Sequence, residues 1–368
     1  MSPLRRTSMQ KGLTYEVYFK DIPVFEIKSS GEVNIYEEKY MPIEIYLEES
    51  FDIDDLANNI VNFNSWSAER IIPLDRKYAK EILAYYGYDN SLTLSERANI
   101  GIATRCLSIN DCFWVKQKDE DITWSEINLY DNSLENSVFE IPLLGKGFTA
   151  DRIEILTPDI HTDGKAPKAW KRTKDGFYLL KRDCSNESAL REVGASKILQ
   201  KLGLDVIDYN LDIFNDTQVS ICKCFTDKNT HMAKADYYSI YLMNKDLDFG
   251  VDLQTIYKEA LNKMVLADYL VGNIDRHARN WGVIYDSEMN VKSLSPIYDF
   301  DHAFEAEGSE ICQPYHFIGR HVLLADAARE ILQSNAVVLN TDADLSEFKY
   351  GGYVRDRLNN IWLDNNGN

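Results

Sequence analysis

The feature that most constrains this 368-residue sequence is a long apolar segment that leads directly into a polar loop and two short strands. Residues 252–271 place apolar side chains at helical spacing, which predicts a buried helix. The loop that follows, VGNIDRHARNWG, carries Asp275, His277 and Asn280. WGVIYD and VKSLSPIYD then predict a hairpin that returns Asp299 to the side of Asn280. Charged and amide groups gathered at the end of a buried helix indicate a ligand or metal site.

The rest of the pattern divides the chain into an early β-rich part and a later helical part. Residues 12–48 alternate in polarity and predict strands, and a helix is expected after Thr93 with Ser95 as its cap. The stretch DCFWVKQKDEDITW predicts a hairpin that turns at residues 118–121, and residues 158–175 are expected to form a loop. This order predicts an α+β protein with a β-rich N-lobe, an α-helical C-lobe and a cleft between the lobes.

We expect three segments along the chain. Residues 1–94 form an extra N-terminal accessory region, residues 95–225 form the N-lobe, and residues 226–368 form the helical C-lobe. A chain of this length with 45% hydrophobic residues is long enough for two or three such units.

Charge and cysteine content argue against several classes of protein. The formal net charge of −19 disfavours unspecific binding to nucleic acid or to anionic lipid, so no direct nucleic-acid partner is expected. Six cysteines are scattered without a CxxC pair, which indicates reduced thiols rather than a disulfide framework or a zinc site. The start lacks the apolar core of a signal peptide and no apolar run approaches a membrane span, so we expect a cytoplasmic location.

Asp275 and Asn280 stand five positions apart in the loop after the buried helix. Protein kinases use this spacing in the catalytic loop, where the Asp accepts the proton of the attacking hydroxyl and the Asn binds magnesium. Asp299 opens the sequence Asp-Phe-Asp, which resembles the Asp-Phe-Gly that carries a metal ligand in kinases. Asp301 replaces the glycine and is a competing ligand. The alternative is a helix cap and a solvated acidic turn.

Upstream, the apolar strand GFYLLKR contains Lys181, and the next helix carries Glu187 and Glu192. A strand lysine that contacts nucleotide phosphates and is held by a glutamate of the following helix belongs to the same kinase arrangement. Glu192 is the expected partner because its neighbours suggest an inward side of the helix. Glu187 lies in the first turn, where it suits the helix dipole. The alternative for Lys181 is a solvated strand end.

Residues 165–182 form a basic segment in an acidic chain. Seven basic residues stand against one acid, Asp175, which suits a small polyanion such as a triphosphate. The loop with Gly164 has no GxGxxG, but it can lie over phosphates through its backbone N–H groups. A solvated hairpin loop is the alternative interpretation. The basic residues are Lys165, Lys168, Lys171, Arg172, Lys174, Lys181 and Arg182.

These motifs together resemble the HipA-like serine/threonine kinases, including the shorter CtkA-like members. NIDRHARNWG followed by SPIYD is the most specific part of the resemblance. GKAPKAW, GFYLLKR and NESALREVGASKILQKLGL are similar to the nucleotide loop, the lysine strand and the first helix of that family. The resemblance covers residues from about 150 to about 305. It implies a two-lobed, protein-kinase-like fold and an ATP- and Mg²⁺-dependent transfer of phosphate to Ser or Thr.

The resemblance also implies roles for the residues that match its motifs. Asp275 would be the catalytic base, and Asn280 and Asp299 would bind Mg²⁺. Lys181 would hold ATP phosphate, with Glu192 as its partner.

Further roles follow from the same resemblance. His277 would lie near the phosphates, and Gly164 and Lys168 belong to the nucleotide loop. The connection between the lobes would fall at Lys223 to Phe225, whose backbone would meet adenine. Some members are the toxin of a toxin–antitoxin pair, so the implied partners are a protein substrate and a HipB-like, antitoxin-type regulator. Some are regulated by autophosphorylation in the nucleotide loop, where the candidates are Thr157 and Thr162.

Two other functions stay open at this level. A lipid or small-molecule kinase would use a similar D-R-H-x-x-N core, although the acidic chain argues against an anionic membrane as its working place. A nucleotide-binding pseudokinase or interaction module would use the cleft for recognition alone. The intact set of Lys181, Asp275, Asn280 and Asp299 argues against that module.

Overall fold

The computed structural model describes residues 12–74, 79–80, 83, 93–132, 166–183, 187–305 and 322–363. Contacts within the chain group the residues into two compact units. Unit 1 comprises the residues up to Lys181 together with Cys224–Met232 and Tyr285–Asn290. Unit 2 comprises Arg182–Lys223, Ala233–Ile284 and the residues from Val291 onward. Residues 95–225 contribute to both units, and the expected three-segment division stays a prediction.

A four-stranded antiparallel sheet lies at the centre of unit 1. Its strands are β1 (Thr14–Phe19), β2 (Ile22–Lys28), β3 (Val33–Ile35) and β4 (Phe113–Gln117), in the order β3-β2-β1-β4. Side chains alternate along β1, which places Val17 and Phe19 in the core. In the β1–β4 pair, Val17 faces Val115.

The predicted hairpin after β4 is wrong. β4 pairs with β1, nearly a hundred residues earlier in the chain, and the segment that follows it forms a short helix, α3 (Trp124–Ile127). The reason is a capping box, in which the Glu126 carboxylate accepts the Thr123 backbone N–H at 2.8 Å. This local hydrogen bonding starts a helix where the polarity pattern indicated a second strand.

Two longer helices pack together in unit 1. α1 (Ile53–Glu69) begins at Asp52, whose carboxylate accepts the Asp54 N–H at 2.9 Å. α2 (Leu94–Ala103) begins at Thr93, not at the predicted cap Ser95. The Thr93 hydroxyl accepts the Glu96 N–H at 3.3 Å and the Glu96 carboxylate accepts the Thr93 N–H at 2.8 Å, so the reciprocal pair decides the start.

A hairpin in unit 1 contains much of the basic segment. β5 (Lys168–Thr173) and β6 (Gly176–Arg182) are antiparallel, with Lys168 opposite Lys181 and Thr173 opposite Gly176. The expected loop at 158–175 is therefore wrong for residues 168–173. The two-residue turn of Lys174 and Asp175 closes the strands, and Gly176 opens β6 with a φ of 115°, a conformation that favours glycine.

Unit 2 contains the hairpin of β7 (Tyr209–Phe214) and β8 (Thr217–Lys223), and helix α4 (Ser188–Lys201) packs on both strands. A second sheet has the order β11-β10-β9, formed by β9 (Thr230–Lys234), β10 (Gly282–Asp286) and β11 (Val291–Leu294). The predicted hairpin of β10 and β11 is confirmed. The Asp286 carboxylate closes its turn by accepting the N–H groups of Glu288 and Asn290, each at 2.9 Å.

The later helices of unit 2 include one buried helix. They are α5 (Ala235–Met243), α6 (Phe249–Thr255), α7 (Lys258–Val271), α8 (Leu324–Gln333) and α9 (Gly351–Leu363). Residues Met264–Val271 of α7 are buried without interruption, and α8 and α9 pack against this helix. The predicted single helix over 252–271 is interrupted at residues 256–257, because Tyr257 leaves helical geometry and is buried. Within the described ranges, no helix has both the length and the apolar character needed to cross a bilayer.

Candidate functional site

The polar loop of the sequence begins where α7 ends. Gly272 has a φ of 60°, in the left-handed region, and caps the helix. The Asn273 side chain donates from Nδ2 to Asp268 Oδ1 at 2.9 Å, and its oxygen accepts the Asp275 N–H at 3.4 Å. The last turn of the buried helix therefore sets the path by which the loop reaches Asp275.

Arg276 is the buried centre of this loop. Its guanidinium donates to both carboxylate oxygens of Asp268, from Nε and from Nη2, each at 2.9 Å. Nη1 donates to the carbonyl oxygen of Asn280 at 2.8 Å and to that of Tyr298 at 2.9 Å. Burial opposes the charge, but Asp268 outweighs it and the pKa of Arg276 is raised. This side chain joins α7, the loop and the segment before Asp299.

Asn280 is buried and holds the loop together from within. Its Nδ2 donates to the Asp275 carbonyl oxygen at 2.6 Å, and its Oδ1 accepts the His277 N–H at 3.0 Å. Arg276 Nη1 also donates to this Oδ1, at 3.5 Å, so a cation bound there would replace the longer of the two hydrogen bonds.

The carboxylate of Asp275 is half-exposed and lies among other charged groups. Its pKa is raised, chiefly because the carboxyl is partly removed from water. His277 and His302 oppose this rise, and the nearby carboxylates of Asp299 and Asp301 add to it. Asp299 and Asp301 are therefore close enough to Asp275 to act on its charge. A carboxylate with a raised pKa is a better proton acceptor than an ordinary surface Asp.

Asp299 adopts a backbone conformation that is uncommon for a residue with a side chain. Its φ is 68°, and its N–H donates to the buried Tyr209 hydroxyl of β7 at 3.3 Å. The neighbouring segment is fixed by the parallel bridge between Val206 and Ile297. Backbone strain of this kind concentrates at functional sites, where the surrounding structure maintains it.

The donor set fits magnesium. Asn280, Asp299 and Asp301 offer amide and carboxylate oxygens, which are the ligands that Mg²⁺ prefers. Within the described ranges, no three His, Cys, Asp or Glu side chains form a group that holds a metal by itself. Mg²⁺ does not need such a group, because it retains water and substrate phosphates and uses only one or two carboxylates.

Glu192 and Lys181 are both buried, each described within its own unit. In unit 2, Glu192 of α4 is 1% exposed and accepts a hydrogen bond from the Ser220 hydroxyl at 2.5 Å. In unit 1, Lys181 is 6% exposed and is the cross-strand partner of Lys168. Cross-strand partners point to the same face, and like charges placed so repel each other. That face of the β5–β6 hairpin therefore brings together two of the seven basic residues of the segment.

The other predicted site residues have different surroundings. His277 is exposed; its Nδ1 accepts the Arg279 N–H at 3.1 Å and its Nε2 lies 3.8 Å from Asp275 Oδ2. Lys223 is exposed at the end of β8, Phe225 is half-buried, and the division between the units falls directly after Lys223. Their contact with adenine stays a prediction. Gly164, Lys165, Thr157 and Thr162 lie outside the described residues.

Sequence reasoning missed the ion pair of Arg276 with Asp268. A signal was present, because Asp268 is an acid inside the apolar run MVLADYLV of α7. A buried carboxylate requires a partner, and Arg276 is the nearest arginine that follows it.

Sequence reasoning also missed a network of ion pairs and hydrogen bonds that connects α4 to the segment after Asp299. Glu305 accepts from His302 Nδ1 at 2.8 Å and forms an ion pair with Arg191 of α4. Burial lowers the pKa of His302, but Glu305 and then Asp301 outweigh it and the pKa is raised. The spacing of His302 and Glu305 was a weak signal, and Arg191 is too distant in sequence to have been found.

An aromatic stack joins the same two elements. Phe304 and Tyr350 are stacked with ring centroids 4.0 Å apart, and Tyr350 packs on Gly194 of α4. A Cβ at position 194 would lie 2.9 Å from Tyr350 Cδ2, so this packing requires glycine. Glu187 precedes α4 and pairs with Lys349. The segment before α9 thus holds the helix that carries Glu192.

No family model matches the chain. A curated relative, the serine/threonine-protein kinase CtkA of Helicobacter pylori strain J99, is 27% identical over an alignment of 138 residues, and the match covers 33% of this chain and 42% of the relative. The match therefore spans less than half of the length of that kinase.

One solved structure extends the comparison to 94% of this chain. A chain from the Shewanella oneidensis MR-1 toxin–antitoxin complex of HipA, HipB and operator DNA has a TM-score of 0.51 at 12% identity, covering 94% of this chain and 96% of that chain. The crystal structure of Helicobacter pylori CtkA has a TM-score of 0.33 at 21% identity, covering 38% of this chain and 56% of that chain.

The class of protein follows from these findings. The predicted α+β, kinase-like fold with a β-rich N-terminal region is confirmed by the likeness to HipA. The resemblance to the HipA-like and CtkA-like kinases, which the loop and strand motifs indicated, is confirmed as well.

Proposed function

We propose that this chain is an ATP- and Mg²⁺-dependent protein kinase that transfers the γ-phosphate to Ser or Thr. The observation that carries the proposal is the gathering of Asp275, Asn280 and the Asp299 segment around the buried guanidinium of Arg276. The fold likeness to HipA and the partial sequence likeness to CtkA support the same class of reaction.

Asp275 accepts the proton of the acceptor hydroxyl. Its carboxylate is half-exposed, so a substrate can reach it, and its pKa is raised by partial burial. Asn280 fixes the position of this residue by donating to its carbonyl oxygen. Positioning of the hydroxyl and the base accounts for much of the acceleration in this class of reaction.

Asn280 and Asp299 hold Mg²⁺, and Asp301 is the further candidate for a ligand. When Mg²⁺ is bound, it would neutralise charge on the nucleotide phosphates. Tyr209 and Arg276 both hydrogen-bond to the peptide group between Tyr298 and Asp299, which fixes the backbone directly before this position.

Lys181 binds ATP phosphate, and Lys168 lies beside it on the same face of the hairpin. Glu192 is its proposed partner and His277 lies near the phosphates. The loop with Gly164 covers the phosphates, and the backbone from Lys223 to Phe225 meets adenine. The proposed working place is the cytoplasm.

Transfer of radiolabel from γ-labelled ATP tests the proposal. Asp275→Asn should lower transfer by about 10²- to 10⁴-fold while nucleotide binding persists. Asp299→Asn should also weaken Mg²⁺-dependent nucleotide binding. The matched control is Asp212→Asn, an exposed acid of β7 in the same unit, which should behave as wild type.

The form of the labelled product separates the alternatives. Label in protein, on Ser or Thr, supports the proposal, whereas label in a solvent-extractable fraction identifies a lipid or small-molecule kinase. A wild-type protein that binds ATP with Mg²⁺ and labels neither itself nor a lysate is a pseudokinase, and the proposal is then wrong.

We also propose an antitoxin-type regulator as a partner. The support is the structural neighbour, which was solved as a complex of HipA with HipB and operator DNA. Co-purification with a small helix-turn-helix protein encoded beside this chain tests the partner.

A further inference from the structure

An apolar groove opens on the surface of unit 2 along α5. Its volume is about 490 Å³, and its lining consists of Ser239, Ile240, Met243, Asp246, Leu247 and Asp248. The apolar side chains are unusually accessible, with Ile240 48% exposed, Met243 65% and Leu247 55%. Single exposed apolar residues are ordinary, but several adjacent ones in a concave surface mark an interaction site.

The groove lies on the side of α5 that contacts the polar loop. Asp236, in the first turn of α5, accepts a hydrogen bond from Arg279 Nε at 2.9 Å. Ile240 and Met243 follow Asp236 by four and seven residues, which places all three on one side of the helix. At a rise of about 1.5 Å per residue, the groove starts about 6 to 10 Å along the helix from the Arg279 contact. An extended peptide covers that distance in about two or three residues.

The rim of the groove is acidic. Asp246 and Asp248 belong to the lining itself, and Asp252 lies in the following helix. Asp248 also caps α6 by accepting the Gly250 N–H at 2.7 Å, so it is fixed in place. Between Ser239 and Asp252 the sequence contains one basic residue, Lys245, and the charge of Arg279 near the start of α5 is paired with Asp236. The combination favours a partner with apolar side chains next to basic ones.

We propose that this groove binds a segment of the protein substrate in which apolar residues alternate with Lys or Arg. The inference rests on the proposed kinase function and adds a substrate class to it. Binding in the groove holds the acceptor Ser or Thr near Asp275. The residues directly beside the acceptor then need no particular sequence. The segment lies a few residues from the acceptor along the substrate chain.

Synthetic 20-residue peptides with one Ser test this directly. The test peptide carries a Leu-Lys-Leu-Lys segment placed about three to eight residues from the Ser, a spacing set by the reach of an extended chain. One comparison peptide replaces each Leu with Ser, and a second replaces each Lys with Glu. We expect the test peptide to have the lowest KM, by about tenfold, because two apolar side chains become buried.

Two variants test whether the difference in KM between the peptides depends on the groove. Ile240→Asp and Met243→Asp should raise the KM of the test peptide about tenfold and leave kcat and autophosphorylation unchanged. The matched control is Ile213→Asp, on β7 of the same unit, where the side chain is 73% exposed and outside the groove. It should leave the KM unchanged. Equal melting temperatures of the three variants exclude unfolding as the cause.

Binding of fluorescent peptides to the Asp275→Asn protein separates this inference from the proposed function. Preferential binding that Met243→Asp abolishes supports the groove even where the wild type transfers no phosphate, an outcome that overturns only the kinase proposal. Transfer without any preference among the three peptides overturns the groove proposal alone. Equal binding of the Glu peptide overturns the charge requirement. A wild-type dimer that Met243→Asp converts to a monomer assigns the groove to a second copy and overturns the proposal.

Discussion

Each unit of the molecule contains a buried Arg–Asp pair with two hydrogen bonds, and the two pairs have different surroundings. In unit 1, Arg70 donates from Nη1 and Nη2 to Asp111, at 3.0 and 2.5 Å. In unit 2, Arg276 donates from Nε and Nη2 to Asp268, both at 2.9 Å. All four residues are less than 10% exposed, so the chemistry of the two pairs is nearly the same.

The remaining contacts of each pair set its role. Arg70 donates to the Cys106 carbonyl oxygen and lies over the Trp66 ring, and Asp111 accepts the Phe113 N–H at the start of β4. Arg276 instead donates to the carbonyl oxygens of Asn280 and of Tyr298, the residue directly before Asp299. A buried ion pair therefore shows little about function until the groups it positions are known.

The largest expected effect is that of Arg276→Lys. Lysine keeps the charge but cannot bind both oxygens of Asp268 and both carbonyls. We expect a loss of about 3–5 kcal/mol in the free energy of unfolding, and at least a 10²-fold loss of phosphoryl transfer by folded protein. Urea unfolding measures the loss of stability, and transfer of radiolabel measures the loss of activity. Arg329→Lys, which alters the Asp326 ion pair of α8, is the control. Full transfer by the folded variant would contradict the role given to Arg276.

Arg70→Lys should produce a similar loss of stability without a catalytic effect. We expect about 3–5 kcal/mol in the free energy of unfolding, since Asp111 is left buried without its fork-shaped partner. Transfer per folded molecule should match wild type at a temperature where the variant is folded. Reduced transfer under those conditions would show that the two pairs do not differ in the way described.

An acid-dependent loss of stability should come from unit 1. Burial among the rings of Phe19 and Tyr285 lowers the pKa of His231 to about 4. In the unfolded chain the pKa of His231 is about 6.5. Below that pH the unfolded chain binds a proton that the folded protein does not, so the free energy of unfolding decreases as the pH falls toward 4. Between pH 7 and pH 5 the loss is about 2 kcal/mol. Urea titrations at both pH values measure it, and His231→Gln should remove the difference. An unchanged pH dependence in that variant would assign the loss to other groups.

The smallest expected effect is a gain in stability, whereas the preceding predictions are losses. Asp275 has a raised pKa in the fold, so its ionised form costs stability above that pKa and costs nothing once the group is protonated. Asp275→Asn should therefore stabilise unit 2 at pH 7, by less than about 1 kcal/mol because the side chain is half-exposed. The gain should disappear below about pH 4. A variant less stable than wild type at pH 7, while Asp212→Asn is unchanged, would contradict this.

The elements predicted from sequence are those that local pattern determines. The apolar run of α7, the spacing of Asp275 and Asn280, and the β10–β11 hairpin all depend on neighbours within about 30 residues of one another. The pairing of β4 with β1 depends on residues nearly a hundred positions apart, and no local signal specifies such a partner. The start of α2 was mispredicted because two residues, Thr93 and Ser95, could both cap a helix, and Glu96 decided between them.

The candidate site shows the same division. The candidate residues Asp275, Asn280 and Asp299 were proposed from the sequence because their types and spacing match those of a kinase catalytic loop and metal site. The residues that position them were missed, because Arg191 and Glu305 are 114 positions apart and become neighbours only in the folded chain. Arg276 was also missed, although the buried acid that it pairs with, Asp268, was visible in the sequence of α7.

The contact of Tyr350 with Gly194 has a consequence for chains related to this one. Two side chains cannot occupy the same space, so a homologue with a bulkier residue at position 194 should have a smaller one at position 350. A single change at either position would shift the helix that carries Glu192 or leave a void beside Phe304. Compensating substitutions at these two positions, 156 residues apart in sequence, would therefore identify homologues that keep this helix in the same place.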